Sequence, residues 1–221
     1  MSARKIAAEG LGTALLLIGV VGSGIMAQSL TDDTALALLT NAIATGCTLY
    51  FIITILGPLS GAHFNPVVTL AFAIKGEHPW PLALGYIPVQ VIGGILGVWL
   101  CHVMSDLNVI QFSTTDRTGM NQWTSEIFAT FGLLLVSFGG VRSRPDAVPT
   151  LVAIYITGAY WFTSSTSFAN PAVTIARMFS DTFAGINPAH VAGFIVAQII
   201  GLGVALIVLP WMFDQNKDAP R

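Results

Sequence analysis

Two nearly identical Asn-Pro motifs are the residues of this chain best suited to chemistry. Residues 63–69 read HFNPVVT and residues 168–174 read FANPAVT. In each motif proline follows asparagine at the start of a helix-compatible segment, and proline suits the first helical position because no amide donor is needed there. Asparagine is a good helix cap whose side-chain amide can also donate hydrogen bonds. The pair predicts a site that conducts or binds a small molecule.

The composition is that of a polytopic membrane protein. Of 221 residues, 54% are hydrophobic and 9% are charged, and the mean hydropathy is +0.75. A soluble domain carries about a quarter charged residues, so this chain has too few polar groups to cover a water-exposed surface. The formal net charge of −2 is uninformative about partners, and there is no basic cluster to indicate nucleic-acid binding.

Six apolar segments are long enough to cross a bilayer, since a hydrocarbon core of about 30 Å takes about 20 helical residues. The predicted spans are residues 6–28, 34–56, 80–104, 122–141, 147–163 and 188–211. Seven basic residues then fall on the side of the two termini, namely Arg4, Lys5, Lys75, Arg142, Arg144, Lys217 and Arg221. Only Arg117 and Arg177 fall on the other side, so the positive-inside rule predicts that both termini are cytoplasmic.

The chain repeats itself in two halves. Residues 9–17 read EGLGTALLL and residues 126–134 read EIFATFGLL, so each half holds a glutamate-bearing span, a second span, an Asn-Pro segment and a third span. Three spans per half require the second half to insert upside down, and inverted repeats of this kind place their site near the midplane. The segments after the Asn-Pro pairs are too short to cross, because about ten helical residues rise about 15 Å.

The predicted fold is therefore an all-α membrane protein with six transmembrane helices and two re-entrant half-helices in an inverted 3+3 repeat. Residues 1–221 form one domain, with repeats at about residues 6–104 and 122–212. Irregular backbone at the midplane is tolerated where it is buried in protein or lines a wet cavity. A wet cavity between the two half-helices is the expectation.

Five other polar or reactive residues have an interpretation from the sequence. Glu9 and Glu126 occupy equivalent positions, which favours a structural role as acceptors for backbone N–H groups of a re-entrant loop over a proton relay. His63 is expected to line the cytoplasmic half of the pore as a donor, with a pH-sensing role as the alternative. Cys47 and Cys101 lie in apolar runs and are interpreted as small buried residues rather than a redox or metal pair.

Three further histidines, His78, His102 and His190, are dispersed along the chain and are interpreted as interfacial. Their spacing is not that of metal ligands. The sequence therefore predicts no metal site, no cofactor and no catalytic residues. The polar stretch of residues 105–121 is expected to fold over the outer mouth.

These motifs resemble the pore loops of the aquaporin, or major intrinsic protein, family. Residues 60–69, SGAHFNPVVT, are similar to its first pore loop, and Glu9 and Glu126 match its intramembrane glutamates. The resemblance implies a homotetramer with a pore through each subunit. It places six residues at the pore centre: Asn65, Pro66, Val67, Asn170, Pro171 and Ala172. Asparagine amides and loop carbonyls would serve a solute there, and the half-helix N-termini would disfavour cations.

The family also has a four-residue constriction on the outer side of the Asn-Pro centre. The resemblance places it at Thr45, Gly158, Ser167 and Val173, which carry neither an aromatic ring nor a charge. Members of the family typically have an arginine where Val173 stands. Losing a guanidinium removes five donors and a fixed charge, which predicts a wider opening and weaker exclusion of cations. Arg177 either reaches the outer vestibule or forms an interfacial pair with Asp181.

An arginine-free constriction is similar to that of bacterial aquaglyceroporin-like channels associated with arsenic resistance. The resemblance implies passive flow of arsenite, methylated arsenicals and glycerol, with some water, across a bacterial inner (plasma) membrane. Arsenite at neutral pH is As(OH)3, a compact neutral triol, which suits an uncharged opening. The alternative within this class is an ordinary glycerol or water facilitator.

Two other classes of function are weighed against a channel. An intramembrane enzyme needs a nucleophile with a base, or paired acids, at one depth, and no such set accompanies Glu9 and Glu126. A coupled transporter needs titratable groups at its substrate site, but the side chains of the proposed pore are neutral apart from His63. Both classes are therefore disfavoured.

Overall fold

The structure is a computed structural model that describes residues 2–213, and every regular element among those residues is helical. The first span consists of α1 (Ser2–Leu17) and α2 (Ser23–Leu30), joined by a π-helical turn at Ile18–Gly22. The remaining helices are α3 (Thr34–Ser60), α4 (Pro66–Ile74), α5 (Trp80–Met104), α6 (Met120–Ser143), α7 (Val148–Phe162), α8 (Pro171–Arg177) and α9 (Pro188–Phe213). Lys217 and Arg221, used in the predicted charge asymmetry, lie outside the described residues.

The predicted all-α fold is confirmed, and the six predicted spans are helical. Within residues 2–213, five helices are long and apolar enough to cross a membrane: Ser2–Leu30, Thr34–Ser60, Trp80–Met104, Met120–Ser143 and Pro188–Phe213. The sixth, α7, has 15 residues and follows a 3-10 turn at Pro145–Ala147. Helix α3 continues to Ser60, four residues beyond its predicted end, because Pro58 falls in the last turns, where one lost hydrogen bond does not break the helix.

The packing of the first half is repeated in the second half. Helix α1 packs on α5 as α6 packs on α9, and α1 packs on α3 as α6 packs on α7. Each half-helix, α4 or α8, lies against both α5 and α9, the third spans of the two halves. This is the contact pattern that an inverted 3+3 repeat requires, and it brings the two half-helices together.

Glycine allows the main helix pairs to approach closely enough to hold the half-helices. A Cβ on Gly93 of α5 would lie 2.1 Å from the carbonyl oxygen of Gly10, and one on Gly201 of α9 would lie 2.5 Å from that of Ile127. No side chain fits at either distance, so glycine is required at both crossings.

The loop between α5 and α6 covers one face of the molecule. The Ser113 amide donates to the Met178 carbonyl at 2.9 Å, and the Asn187 amide donates to the Thr115 carbonyl at 2.8 Å. This loop therefore packs on residues 178–187, which follow α8. We call this side of the molecule the Arg177 face, and the opposite side, where α4 ends at Lys75, the Lys75 face.

Two interpretations of single residues are corrected by the structure. Cys101 is buried as expected, whereas Cys47 is exposed on α3. His102 is fully buried, not interfacial: its Nδ1 lies 2.8 Å from the Val109 carbonyl and its Nε2 lies 2.9 Å from Ser180 Oγ. The loop that folds back over the end of α5 encloses this imidazole, which a sequence pattern does not indicate.

Candidate functional site

The two asparagines of the Asn-Pro motifs are the N-caps of the half-helices. Asn65 has an extended backbone, with φ −157°, and its Oδ1 accepts from the Val67 amide at 3.0 Å. Asn170 has φ −158°, and its Oδ1 accepts from the amides of Ala172 and Val173 at 2.9 and 3.2 Å. Capping fixes the oxygen of each side chain toward its own helix, so the amide nitrogen points the other way.

Each asparagine amide also binds the opposite loop. Asn65 Nδ2 donates to the Ala169 carbonyl at 2.8 Å, and Asn170 Nδ2 donates to the Phe64 carbonyl at 2.8 Å. The two accepting residues are those directly before the partner asparagine. An amide NH2 has two hydrogens, and among residues 2–213 only one protein acceptor is found for each. The second hydrogen of each amide is left for the cavity that both side chains line.

The first pore-side loop is held by a buried carboxylate from α1. Glu9 has no solvent exposure, and its Oε1 accepts from Ser60 Oγ at 2.7 Å and the His63 amide at 3.0 Å. Its Oε2 accepts from the Phe64 amide at 2.7 Å and Gln90 Nε2 at 2.8 Å. The carboxylate therefore satisfies four donors, two of them from the backbone of the loop.

Glu126 of α6 repeats this arrangement in the second half. Its Oε1 accepts from Ser165 Oγ at 2.7 Å and the Phe168 amide at 2.8 Å. Its Oε2 accepts from the Ala169 amide at 2.8 Å and Gln198 Nε2 at 2.7 Å. The Ser and Gln partners also occupy equivalent positions in the two halves of the sequence, and this repetition could have identified them as partners of the glutamates.

The carboxylates stabilise a loop backbone that is costly by itself. Ala62 and Phe64 have φ of 51° and 46°, and the equivalent Ser167 and Ala169 have φ of 52° and 47°. The left-handed region disfavours residues with a side chain, and such strain persists only where the surroundings enforce it. The bonds to Glu9 and Glu126 supply that enforcement. They fix the two approach segments beside the asparagines.

A cavity of about 850 Å³, open mouths included, runs between the two faces past the asparagine pair. Its wall is mostly apolar, with polar groups at few positions. The polar side chains are those of His63, Asn65, Asn170, Thr45, Tyr160, Ser137, Ser167 and Arg177. Val173 also lines the cavity, whereas Pro66, Val67, Pro171 and Ala172 are buried behind the wall. A largely apolar cavity with few polar groups is typical of a solute site.

The predicted constriction is brought together at three of its four positions. Thr45, Ser167 and Val173 line the cavity, but Gly158 does not. The residues of α7 that line it are Val148, Val152, Ile156 and Tyr160. Residues four apart share a helix face, whereas residues two apart do not, so Gly158 points away, toward Phe162. Gly158 is therefore not on the cavity wall, and Tyr160 brings an aromatic ring to the wall beside Thr45.

Hydroxyl groups cluster in this part of the wall. Thr45 Oγ1 and the Tyr160 hydroxyl lie 3.1 Å apart, within hydrogen-bond distance. Ser167 Oγ is buried and has no hydrogen-bond partner in the described part of the chain. An unpaired buried hydroxyl is costly in an apolar site, and a solute that carries its own hydroxyls can pair with it.

Arg177 does not pair with Asp181, contrary to one of the two sequence interpretations. Asp181 Oδ1 instead accepts from the amide and hydroxyl of Thr114, at 2.8 and 3.0 Å. Arg177 is 2% exposed, lines the cavity, and donates through Nε to the Ala184 carbonyl. The loop between α5 and α6 therefore binds the Asp181 carboxylate through Thr114, so this carboxylate is not paired with Arg177.

His63 lines the cavity on the Lys75 side of the asparagines. Its Nδ1 lies 3.1 Å from Thr69 Oγ1, and its ring contacts that of His78 at 4.8 Å between centroids. In the loop after α4, burial lowers the pKa of His78, and the charge of Lys5 lowers it further. His78 is therefore neutral at pH 7, which favours a plain wall donor over a switch that titrates at this mouth.

No group of three or more His, Cys, Asp or Glu residues suited to a metal ion occurs within residues 2–213. The polar groups of the cavity are hydroxyls, amides, an imidazole and a guanidinium. These can exchange hydrogen bonds with a solute.

Known proteins match most or nearly all of this chain. The Major intrinsic protein family profile matches residues 1–166. Aquaglyceroporin AqpS of Rhizobium meliloti (strain 1021) is 52% identical over 218 residues, which cover 99% of this chain and 94% of that protein. Aquaporin NIP1-1 of Zea mays is 31% identical over 155 residues, covering 69% and 54% of the two chains. The aquaglyceroporin from Plasmodium falciparum shares the fold, with TM-score 0.76, 18% identity and coverage of 99% and 98%.

Proposed function

The chain belongs to the major intrinsic protein family, and on that premise we propose that its cavity passively conducts small neutral solutes rich in hydroxyl groups, arsenite and glycerol among them. Membership makes the chain an integral multi-pass membrane protein and a small-solute channel rather than an enzyme. The proposal concerns which solutes pass. Methylated arsenicals and water are the further permeants.

The observation that carries the proposal is the wall between the asparagine pair and the Arg177 face. Thr45, Tyr160 and Ser167 present hydroxyls beside the apolar side chain of Val173. A triol that enters the cavity loses its hydrogen bonds to water. It can form new ones with the unpaired Ser167 hydroxyl and with the second hydrogen of each asparagine amide. The apolar wall tolerates the methyl groups of a methylated arsenical.

Ion exclusion follows from the half-helices. The N-termini of α4 and α8 meet at the middle of the cavity, and each carries the equivalent of roughly half a positive elementary charge. A cation that has shed water would face both ends with few acceptors around it. A neutral solute meets no such barrier.

We also propose the setting of this channel. It is a homotetramer in a bacterial plasma membrane, with a path through each subunit and both termini in the cytoplasm. The Arg177 face is then the outer one and the Lys75 face the cytoplasmic one. Lys5, Lys75 and Arg144 lie on or near the cytoplasmic side in this orientation, as the positive-inside rule favours.

An ordinary glycerol or water facilitator is the second candidate, and Tyr160 is the observation that favours it. The Tyr160 ring lines the cavity beside Thr45, where the sequence predicts no aromatic residue, and its bulk would narrow the opening there. Narrowing selects for small permeants. A coupled transporter is disfavoured, because coupling needs titratable groups at the substrate site. Among the described residues beside the asparagines that line the cavity, His63 is the single titratable side chain.

A flux panel in proteoliposomes tests the proposal. Vesicles with the purified protein should take up arsenite, methylarsenite and glycerol faster than protein-free vesicles. Light scattering measures glycerol uptake, and elemental analysis of the arsenic content of the vesicles measures uptake of the two arsenicals. Uptake should not saturate and should not respond to an imposed pH gradient, since nothing is coupled to it. Fast water flow without uptake of the larger solutes would contradict the proposal and support a water facilitator.

A further inference from the structure

We propose that Arg177 is a specificity-determining residue of the channel, supplying from one helical turn beyond Val173 the charged hydrogen-bond donor of the outer mouth. This inference rests on the proposed function and names the group that recognises the solute there. Arg177 is the last residue of α8. The sequence allows two interpretations of Arg177, a position in the outer vestibule or an ion pair with Asp181. The contacts of Arg177 in the structure favour the vestibule.

Arg177 shares a cavity-facing side of α8 with Val173. Residues four apart lie on one helix face, and both side chains line the cavity. The separation along the axis is about 6 Å. A solute entering from the outer face therefore meets the arginine first and the valine constriction second.

The guanidinium is held rigidly. Its central carbon lies 3.5 Å from the centroid of the Phe168 ring, and its Nε donates to the Ala184 carbonyl. Phe168 is itself fixed, because its amide donates to Glu126 at 2.8 Å. A cation stacked on an aromatic face is held more strongly in a desolvated site than at an exposed one. The arginine is therefore ordered before a solute arrives.

Most of the donors of Arg177 remain available. A guanidinium has five N–H donors, and among the residues that the structure describes a protein acceptor is found for Nε alone. The four hydrogens of the two terminal nitrogens are left for a solute in the cavity. Hydroxyl oxygens of a polyol or of As(OH)3 are acceptors of the right kind, whereas a cation is repelled.

Arg117 serves as a support and does not line the cavity. Its Nε donates to the Gly185 carbonyl at 2.7 Å and its Nη2 donates to the Phe183 carbonyl at 3.2 Å. These carbonyls flank that of Ala184, which Arg177 uses. Arg117 thus fixes the loop that fixes Arg177, and it adds a second positive charge 5.3 Å from the Phe168 ring.

The test compares Arg177→Gln and Arg177→Lys with the wild type in proteoliposomes, recording glycerol uptake and sodium leak. Arg144→Gln is the matched control, because it removes one charge from an exposed side chain that pairs with Asp146 at 3.6 Å. Arg177→Gln should raise the sodium leak about tenfold, the effect of roughly 1.4 kcal/mol of lost barrier. Arg177→Lys should keep sodium out but change the ratio of glycerol to water flux several-fold, because lysine lacks the planar fork.

The outcomes separate this inference from the proposed function. A wild type that conducts no glycerol contradicts the proposed function. A wild type that conducts glycerol, with Arg177→Gln and Arg177→Lys unchanged in both sodium leak and glycerol-to-water ratio, overturns the role of Arg177. If Arg177→Gln fails to fold, Arg177→Lys carries the test through the flux ratio alone. Arg144→Gln should match the wild type throughout.

Discussion

Replacing Val173 with arginine should reduce glycerol and arsenite flux at least about tenfold, the effect of roughly 1.4 kcal/mol of added barrier, while water flux survives. Val173 is 5% exposed and lines the cavity at the constriction. A guanidinium there would occupy space beside Thr45 and Ser167 and would add donors that bind a polyol tightly in a narrower opening. Water, the smallest permeant, still passes. Stopped-flow light scattering on proteoliposomes measures both fluxes.

Val173→Met is the control for volume, because methionine adds comparable length without charge or donors. It should lower glycerol flux less than Val173→Arg. Thermal unfolding in detergent verifies that each variant is folded. Unchanged glycerol flux through a folded Val173→Arg channel would mean that Val173 does not border the path of the solute.

Glu126→Leu should destabilise the protein severely. Leucine leaves the hydroxyl of Ser165, the amides of Phe168 and Ala169 and the side-chain amide of Gln198 without their acceptor. A buried donor that loses its partner costs about 1–3 kcal/mol, so the free energy of unfolding should fall by more than about 4 kcal/mol. Scanning fluorimetry of the detergent-solubilised protein should show a large drop in Tm or no folded protein.

The Tm of Glu126→Gln should lie between that of the leucine variant and that of the wild type. The glutamine carbonyl oxygen still accepts hydrogen bonds, whereas its NH2 group faces other donors that it cannot pair with. Glu77→Gln is the control: this exposed acid pairs with Lys75 at 3.3 Å, and surface pairs contribute little. A Glu126→Leu protein as stable as the wild type would show that the second loop is not held by this carboxylate.

The elements that repeat in the sequence were those that could be predicted. Asn65 and Asn170 were identifiable because the same residue types recur in both halves, and a repeated polar residue within apolar runs points to a shared geometry. Glu9 and Glu126 were found in the same way. Their hydrogen bonds to the loops follow from the requirement that buried polar groups be paired.

The orientation of α7 could not be predicted from the sequence. Gly158 was placed at the constriction by the family resemblance, which assumes a fixed length for the segment between the end of α7 and the second motif. Which face of a helix borders the cavity depends on its packing against its neighbours, and here that packing presents Tyr160. Arg177 was ambiguous for a related reason, because its partners Phe168 and Ala184 meet it only in the folded loop.

Block of solute flux by a cysteine on the cavity wall tests whether the solute passes through the cavity beside the asparagine pair. Ser167→Cys is nearly isosteric and places a thiol on the cavity wall, and Gly158→Cys is the matched control on the opposite face of α7. Both variants are made with Cys47→Ser, because Cys47 is exposed, whereas Cys101 is buried and stays. A small anionic methanethiosulfonate reagent is applied to both sides of the vesicle membrane, since Arg177 on the cavity wall would repel a cationic reagent.

The reagent should abolish most glycerol flux through Ser167→Cys, a reducing agent should restore that flux, and flux through Gly158→Cys should be unaffected. Block of Gly158→Cys with free flux through modified Ser167→Cys would show that the solute does not follow this cavity.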